Sequence, residues 1–269
     1  MSEFNSVSCG GFKTISDTFA AGSLWTVDYA LQLASVGYSA IHIHTRERGI
    51  TYNVMTPPDG PVGSPGAWTT NPPFYAVLAT AEALRSTNGA IVVDLKLGSN
   101  KSEYAGYAVY DSKDKTVQQL VFFNYANVTS STKEKIAFRV SASTFSSSTR
   151  MKVTVKYLVG DSMSEDTNIG WGGETYAGVG DGKLVKSSAT WAPANLHVDC
   201  SKGCEIDVPA PGMAVAFAGG SPTDADGSDS SGTSTSNSVP LNLHANFVLL
   251  NLAMLILAGL WLLDLRITY

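Results

Sequence analysis

Short alternating segments after residue 89 constrain the fold of this chain more than any other feature. Runs such as "YAGYAVYD", "KIAFRVSA", "RMKVTVKYLV" and "GMAVAFA" carry apolar residues at alternate positions, and turns rich in Ser, Asn, Asp and Gly separate them. A period of two residues is typical of β-strands that present one buried face. Several such strands with no helix between them predict an antiparallel β-sandwich over residues 89–219.

The first 88 residues show a different pattern, of helices around one short strand. "SDTFAAGSLWTVDYALQLASVG" predicts a helix capped by Ser16, with Leu24, Val27 and Leu31 on a buried face. "YSAIHIHTRERG" then alternates, which predicts a strand over residues 41–44. A loop rich in Pro and Gly and a second helix, "FYAVLATAEALRST", follow. This order indicates a fragment of α/β architecture.

Composition and motifs exclude several classes of function. The net charge of −5 and the lack of a dense Lys/Arg cluster argue against a nucleic-acid partner. No Ser lies in a nucleophile elbow, so acyl transfer has no support. No cofactor is expected, and no metal, because His42 and His44 lack a third ligand. The run "GVGDG" precedes no predicted helix, so it indicates turns between strands, with a lectin-like role as the alternative.

The cysteines and two glycosylation sequons favour an oxidising compartment. Cys200 and Cys204 flank a short turn and form a disulfide if the protein is secreted; two free buried thiols are the alternative. Cys9 is left over, either reduced and buried or separated from a partner outside the chain. Asn100 and Asn127 begin acceptor sequons. The first residues lack the pattern of a signal peptide, so we expect that the chain is not secreted or that its beginning is missing.

The C-terminal part predicts a linker and a membrane-attachment segment. Residues 220–240 are rich in Ser, Gly and Asp and are too polar to fold. Residues 241–269 contain an uncharged apolar run over residues 247–263, which predicts a C-terminal apolar helix. A single-pass helix and a signal for a GPI anchor are both compatible with it. The sequence therefore predicts a protein attached to the membrane at the cell surface.

Four segments together resemble glycoside hydrolase family 79, the family of heparanase and fungal β-glucuronidases. They are "EFNSVSCGG", "SDTFAAGSLWTVDYALQLASVGYS", "HTRERGITYN" and "VPAPGMAVAF", and the resemblance extends from residue 3 to about residue 217. It implies a (β/α)₈ barrel followed by a β-sandwich. The fold class is then α+β, with residues 1–88 as a remnant of the last βα units. Glu3 would end the seventh barrel strand, and residues 41–44 would lie on the eighth.

The resemblance also implies a catalytic role for Glu3. A retaining glycosidase of this family uses two carboxyl groups, and the motif match makes Glu3 the nucleophile and Asn5 its orienting neighbour. The acid would come from an Asn-Glu pair on the fourth strand, which no residue here matches, so we expect this chain to be inactive alone. His44, Arg46 and Tyr52 would line the substrate mouth and bind a glycan containing β-linked glucuronic acid.

Interpretations without a functional role stay open for several of these residues. Arg46 is equally compatible with a solvated loop charge, and His42 with a satisfied interior histidine. Trp68 is either a platform for a sugar ring or an anchor for its loop. As a whole, the chain is alternatively a membrane-tethered β-sandwich that binds a glycan or a protein partner.

Overall fold

The computed structural model describes residues 3–46, 48–59, 66–97, 103–127, 134–145, 148–180, 182–189 and 192–220, with the backbone of Leu262–Arg266. Its helices are a π-helical stretch (Phe19–Trp25), α1 (Thr26–Ser35), α2 (Pro72–Ala83) and a 3₁₀ turn (Ala142–Thr144). Its strands in chain order are β1 (Ala40–His44), β2 (Met55–Thr56), β3 (Thr69–Thr70), β4 (Ala90–Asp94), β5 (Tyr104–Asp111), β6 (Val117–Asn124), β7 (Lys135–Val140), β8 (Lys152–Gly160), β9 (Ile169–Trp171), β10 (Glu174–Thr175), β11 (Val185–Lys186), β12 (Leu196–Asp199), β13 (Cys204–Pro209), β14 (Gly212–Ala218) and β15 (Leu262–Arg266).

The largest sheet is antiparallel and has β14 near its centre. Its strand order is β11-β10-β9-β8-β14-β6-β5-β4, and β12 pairs with β8. Val215 of β14 lies opposite Val121 of β6 on one side and Lys156 of β8 on the other. A late segment of the chain is therefore inserted between strands that precede it in sequence.

Both faces of this sheet are buried, each by a different partner. Along β14, Met213, Val215 and Phe217 pack with the helices, whereas Ala214 and Ala216 pack towards a ribbon formed by β7 and β13. The alternation follows from the pleat of the strand. The alanines leave room for the ribbon to lie close, and the larger side chains fill the space under α1 and α2. The predicted sandwich is confirmed as layered antiparallel sheets, and helices cover the second face.

The first helix begins close to its predicted position but with a different cap. Thr18, and not Ser16, is the N-cap, and its Oγ1 accepts a hydrogen bond from the Ala21 N–H at 3.4 Å. The first turns, Phe19–Trp25, are π-helical and lead directly into α1. A side chain at Gly22 would meet the first prolines of α2 at 3.0 Å, so the glycine allows the two helices to approach closely.

A buried ion pair joins α2 to the sheet. The Lys156 Nζ lies 2.7 Å from the Glu82 Oε2, and the Trp171 Nε1–H donates to the other carboxylate oxygen at 2.8 Å. The ammonium group also lies 4.8 Å from the centre of the Trp171 ring, a cation–π contact. The Lys156 side chain is only 5% exposed. Water has little access to the ammonium and carboxylate groups, so each of them relies on its partners here for stabilisation of its charge.

A second polar anchor joins α1 to the sheet through a buried carboxylate. The Tyr107 hydroxyl donates to Asp28 Oδ1 at 2.5 Å, and the Tyr125 hydroxyl donates to Oδ2 at 3.0 Å. Burial raises the pKa of the Asp28 carboxyl, and the negative charge of Asp94 adds to this effect, while the two phenol donors oppose it. The same burial, with the neighbouring carboxylate, raises the pKa of Tyr107 and of Tyr125.

The predicted disulfide is confirmed. Cys200 and Cys204 are bonded, with their Cα atoms 4.8 Å apart. The bond lies between β12, which pairs with β8, and β13, which pairs with β7, so it crosses from one sheet to the other. Cys9 is exposed, so the alternative in which it is reduced and buried is wrong. Asn127 is exposed at the end of β6, whereas Asn100 lies outside the described residues.

The predicted C-terminal segments lie mostly outside the described residues. This holds for residues 221–261, and with them for nearly all of the linker and the apolar run. Leu262–Arg266 form a strand, antiparallel to β1, and so the last part of the predicted helix is extended. Among the described residues, none of the helices has the length and apolar character needed to cross a bilayer. Membrane attachment stays a prediction.

The prediction for the "GVGDG" run is borne out as a turn. The run lies between β10 and β11, and among the described residues after it there is no helix. Gly178 and Gly182 have φ angles of 70° and 73°, which favour glycine. A side chain at Gly180 would meet Ala67 at 2.5 Å, so this turn packs against the loop that carries Trp68.

Removing the charge of Glu82 should strongly destabilise the folded protein. We expect Glu82→Ala to lower the free energy of unfolding by about 3–5 kcal/mol, because it leaves a buried ammonium group without its partner. Urea unfolding followed by tryptophan fluorescence measures the change. Arg139→Ala is the control, since it removes an exposed ion pair with Glu205 that has an N–O distance of 2.9 Å. That loss should be about 0–1 kcal/mol, and equal losses in both variants would contradict the assignment.

The buried carboxylate of Asp28 should make stability depend on pH. Its pKa is raised above the ordinary 3.8, so the stabilisation by its protonated form is complete below 3.8 and is lost as the pH rises through the raised pKa. Asp28→Asn stays neutral. The variant should therefore gain stability relative to the wild type as the pH is increased from about 4, which thermal unfolding at a series of pH values measures.

Asp111→Asn provides the matched control for this pH series. Burial acts to raise the pKa of Asp111, but hydrogen bonds from Ser86, Asn88 and the backbone N–H groups of Lys113 and Asp114 outweigh it and hold the pKa below its usual range. Its contribution is lost only as the pH falls below the ordinary 3.8. The difference between Asp111→Asn and wild type should be constant above about pH 5, and a constant difference for Asp28→Asn as well would overturn the prediction.

Candidate functional site

The candidate site lies where the N-terminal segment meets β1. Phe4 forms a parallel bridge with Ile43 of β1. The Phe4 N–H donates to the His42 carbonyl at 2.8 Å, and the His44 N–H donates to the Phe4 carbonyl at 3.3 Å. Two extended segments that run in the same direction are thus adjacent, and Glu3 and His44 are brought to the same region.

Packing divides these residues between two faces. Phe4 is buried with Ile41 and Ile43 against Ala30 and Leu33 of α1. Its ring also contacts the stacked rings of Trp25 and Tyr29, at centroid distances of 6.0 and 5.2 Å.

The opposite face carries the polar residues. Successive side chains of an extended chain point to opposite sides, so Glu3, Asn5, His42 and His44 share the face away from α1. Glu3 is exposed there, and the two histidines are half buried. The structure therefore places Glu3, Asn5 and His44 in one region.

The Asn5 side chain forms hydrogen bonds with backbone atoms. Its Nδ2 donates to the His44 carbonyl at 2.8 Å, and its Oδ1 accepts a hydrogen bond from the Ser6 N–H at 2.9 Å. Both polar atoms of the side chain thus hold the end of β1 against the segment that follows Glu3. This contact fixes the position of Glu3 relative to His44.

Tyr52 lies beneath the site and is almost fully buried, with 2% of its surface exposed. Its hydroxyl accepts a hydrogen bond from the Gly10 N–H at 3.1 Å and lies 3.3 Å from His44 Nδ1. Gly10 is also held by Thr51, whose N–H and hydroxyl both donate to its carbonyl at 2.9 Å. The loop after Glu3 is thereby attached to the segment after β1.

Arg46 is exposed, and its backbone is anchored at this site. The Arg46 N–H donates to Asn53 Oδ1 at 2.8 Å, and the Thr45 hydroxyl donates to the same oxygen at 3.0 Å. Asn53 is fully buried, and its carbonyl accepts a hydrogen bond from Asn71 Nδ2 at 2.9 Å. Sequence reasoning did not single out Asn53, because a polar residue in a loop has no periodic pattern to mark it.

Trp68 lies on a loop that packs against the turn at Gly180, and its role as a platform for a sugar ring stays a prediction. Its side chain is 47% exposed, while its carbonyl oxygen lies 2.9 Å from where a Cβ of Gly180 would be. The backbone anchors the loop and the ring faces solvent. In the part of the chain that the structure describes, no cluster of three or more His, Cys, Asp or Glu residues suits a metal ion.

Comparisons with known proteins agree with the arrangement of residues 89–219, called the β-domain from here on. Residues 106–215 match the family model described as "Glycosyl hydrolase family 79 C-terminal beta domain". The fold resembles the crystal structure of a 4-O-α-L-rhamnosyl-β-D-glucuronidase from Fusarium oxysporum 12S in complex with Rha-GlcA, with a TM-score of 0.63 and 20% sequence identity. No curated protein sequence matches the chain.

The structural similarity covers most of this chain but less than half of the enzyme. It includes 80% of the present residues and 42% of the Fusarium chain. At 20% identity the structural similarity shows a common fold alone. The relationship to the family rests on the match of residues 106–215 to the family model. The resemblance of the sequence to glycoside hydrolase family 79 is therefore confirmed by the match of residues 106–215 to the model of that family's C-terminal beta domain.

Proposed function

We propose that this chain is the C-terminal portion of a retaining β-glucuronidase-like glycoside hydrolase and that Glu3 is its nucleophile. The main observation in support is the position of Glu3, which is exposed on the polar face next to the end of β1. The β-domain of the same chain matches family 79. The carboxylates of such enzymes lie at the carboxyl ends of parallel strands, where the substrate enters.

The order of elements supports a barrel remnant over residues 1–88. The bridge at Phe4 is followed by the first helix, by β1 as a parallel neighbour, and then by α2. A strand, a helix, a parallel strand and a helix are the repeat of a (β/α)₈ barrel. In this interpretation α1 covers the outside, and the polar face with Glu3 and His44 is the inside.

The chemistry assigned to Glu3 is nucleophilic substitution at a sugar carbon. Its carboxylate attacks the anomeric carbon, the bond to the leaving oxygen breaks, and a second carboxyl group gives that oxygen a proton. Water then hydrolyses the glycosyl ester, with the second group acting as base. Arg46 supplies a cation near the mouth, which suits the carboxylate of a uronic acid. No residue of this chain matches the acid, so we propose that the chain alone is inactive.

The disulfide and the exposed Asn127 support passage through the secretory pathway, since disulfides persist in oxidising compartments. Attachment to a membrane at the cell surface is a proposal that rests on the sequence of residues 247–263 alone.

Replacing Glu3 should abolish hydrolysis once the rest of the barrel is supplied. We expect a fusion to the missing barrel portion of the Fusarium enzyme to release chromophore from a chromogenic β-glucuronide, and Glu3→Gln to lower kcat at least 1,000-fold, because the attacking charge is lost (~4 kcal/mol). Glu103→Gln, a change in the β-domain, is the control. A Glu3→Gln fusion that keeps most of its activity would refute the assignment, and turnover by the chain alone would refute its inactivity.

A second candidate function is glycan binding by the β-domain, and a groove favours it. The groove lies between the sheet and β7 and has a volume of about 970 Å³. Leu95, Leu97 and Phe122 line it from the sheet side, and Phe138 stacks on Phe122 with ring centroids 4.6 Å apart.

The rim of this groove is polar. Tyr110 is half buried there, and Asp114, Lys115 and Arg139 add charges of both signs, with Arg139 paired with Glu205. Apolar walls with a few polar groups at the edge are typical of ligand-binding grooves.

Binding at this groove should depend on Tyr110. We expect Tyr110→Ala to lower the affinity of the full chain for glycans on an array about 5-fold, because stacking on an aromatic ring is worth about 1 kcal/mol. Tyr38→Ala, which removes an exposed ring on the N-terminal part, should change nothing. Equal binding by wild type and Tyr110→Ala would count against a site in the groove.

A further inference from the structure

The turn that joins α2 to β4 contains the dipeptide Asn88-Gly89, the one place in the sequence where Gly follows Asn. Asn88 is exposed and Gly89 is half buried. Gly89 has a φ angle of 92°, a conformation that favours glycine. Because Gly89 has no Cβ, its backbone nitrogen can approach the side-chain amide of Asn88 more closely than the nitrogen of any other residue type.

The side chain of Asn88 binds a buried carboxylate. Its Nδ2 donates to both carboxylate oxygens of Asp111, at 3.1 Å each. Asp111 ends β5 and is 3% exposed. Burial acts to raise the pKa of the Asp111 carboxyl, but its hydrogen bonds outweigh burial and hold the pKa below its usual range. Asn88 therefore faces a group that is charged at neutral pH and can only accept hydrogen bonds.

Ser112 holds the backbone of the same turn. Its N–H donates to the Gly89 carbonyl at 2.9 Å, and its hydroxyl donates to the Asn88 carbonyl. Within the described residues, the Gly89 N–H donates no hydrogen bond. The nitrogen of Gly89 thus has no acceptor there that would hold it away from the Asn88 side chain.

We propose that Asn88 is a site of spontaneous deamidation, and that the product breaks the contact between this turn and β5. The Gly89 nitrogen loses its proton and bonds to the side-chain carbonyl carbon of Asn88. The bond from that carbon to Nδ2 breaks, and the nitrogen leaves as ammonia with the proton. Water then opens the cyclic imide at one of its two carbonyls, which leaves an aspartate or an isoaspartate.

The product places an acceptor opposite an acceptor. A carboxylate at position 88 cannot donate to Asp111, and two like charges at this distance repel each other. The turn follows the last residues of α2, where Glu82 pairs with Lys156. Loss of the contact at Asp111 therefore weakens the junction between α2 and the β-domain.

Peptide mass spectrometry of the aged, folded full chain tests the modification. At mildly alkaline pH, Asn88 should gain the mass difference between an amide and an acid, whereas Asn168 should stay unmodified over the same time. Asn168 is the matched comparison, since it is also exposed and its Nδ2 also donates to a carboxylate, that of Glu165 at 3.4 Å. The residue after it is Ile169, whose branched side chain hinders ring closure.

Asn88→Gln should abolish the mass gain at this position, because its longer side chain would have to close a larger ring. An equal gain at Asn88 and Asn168, or no gain at Asn88 in the folded chain, would overturn the proposed site.

A charge swap tests the consequence of the modification. Asn88→Asp reproduces the product and should lower the midpoint of thermal unfolding at neutral pH by about 4–12 °C, because hydrogen bonds to a charged group are lost and a repulsion is gained. In an Asp111→Asn background the same change should have at most about a quarter of this effect, since an amide at position 111 can donate to the new carboxylate. Asn168→Asp, an exposed change, should shift the midpoint by less than about 2 °C. Equal losses in the two backgrounds would contradict the proposed effect on the contact with β5.

Discussion

Burial of the central sheet on both faces is the constraint on which the rest of the structure depends. Every second residue of β14 belongs to one layer and its neighbours belong to the other. Phe19 packs where a side chain at Gly160 would lie 2.7 Å from its ring, so the start of the first helix is fixed against β8. Full burial of a side chain of this size contributes about 1.5–3 kcal/mol. The position of α1 follows, and β1 and the candidate site follow from α1.

Polar anchors give this apolar interface a defined arrangement. The Glu82–Lys156–Trp171 contact and the Asp28–Tyr107 contact each join a helix to a strand far away in sequence. A purely apolar contact tolerates sliding, whereas a buried charge needs its partner at hydrogen-bonding distance. We infer that these contacts specify which helix face meets which strand, while the apolar area supplies most of the stabilisation.

The candidate site has an exposed carboxylate on a rigid support. Glu3 faces solvent, and Asn5, Tyr52 and Asn53 are occupied with holding backbone and ring atoms in place. A reactive group benefits from such an arrangement, because its surroundings are already ordered when a substrate arrives. The polar residues around Glu3 thus hold one another and the nearby backbone in position.

The sequence alone determined the elements whose pattern is local. The period of two predicted β5, β7 and β14 nearly to the residue, and the short turn between Cys200 and Cys204 predicted their disulfide. Motif resemblance indicated the family whose C-terminal beta domain residues 106–215 match, and the alternation over residues 41–44 placed His44 on a polar face.

Only the tertiary structure decided what depends on contacts between distant segments. The burial of Tyr52, the role of Asn53 and the choice of Thr18 as N-cap each result from partners that no local pattern reveals. The short strands β9 to β11 also lack a repeating pattern of their own, since they form by pairing with the edge of β8 and with each other. A hydrogen bond between residues far apart in sequence leaves no periodic signal, because its energy depends on a distance that exists only in the folded chain.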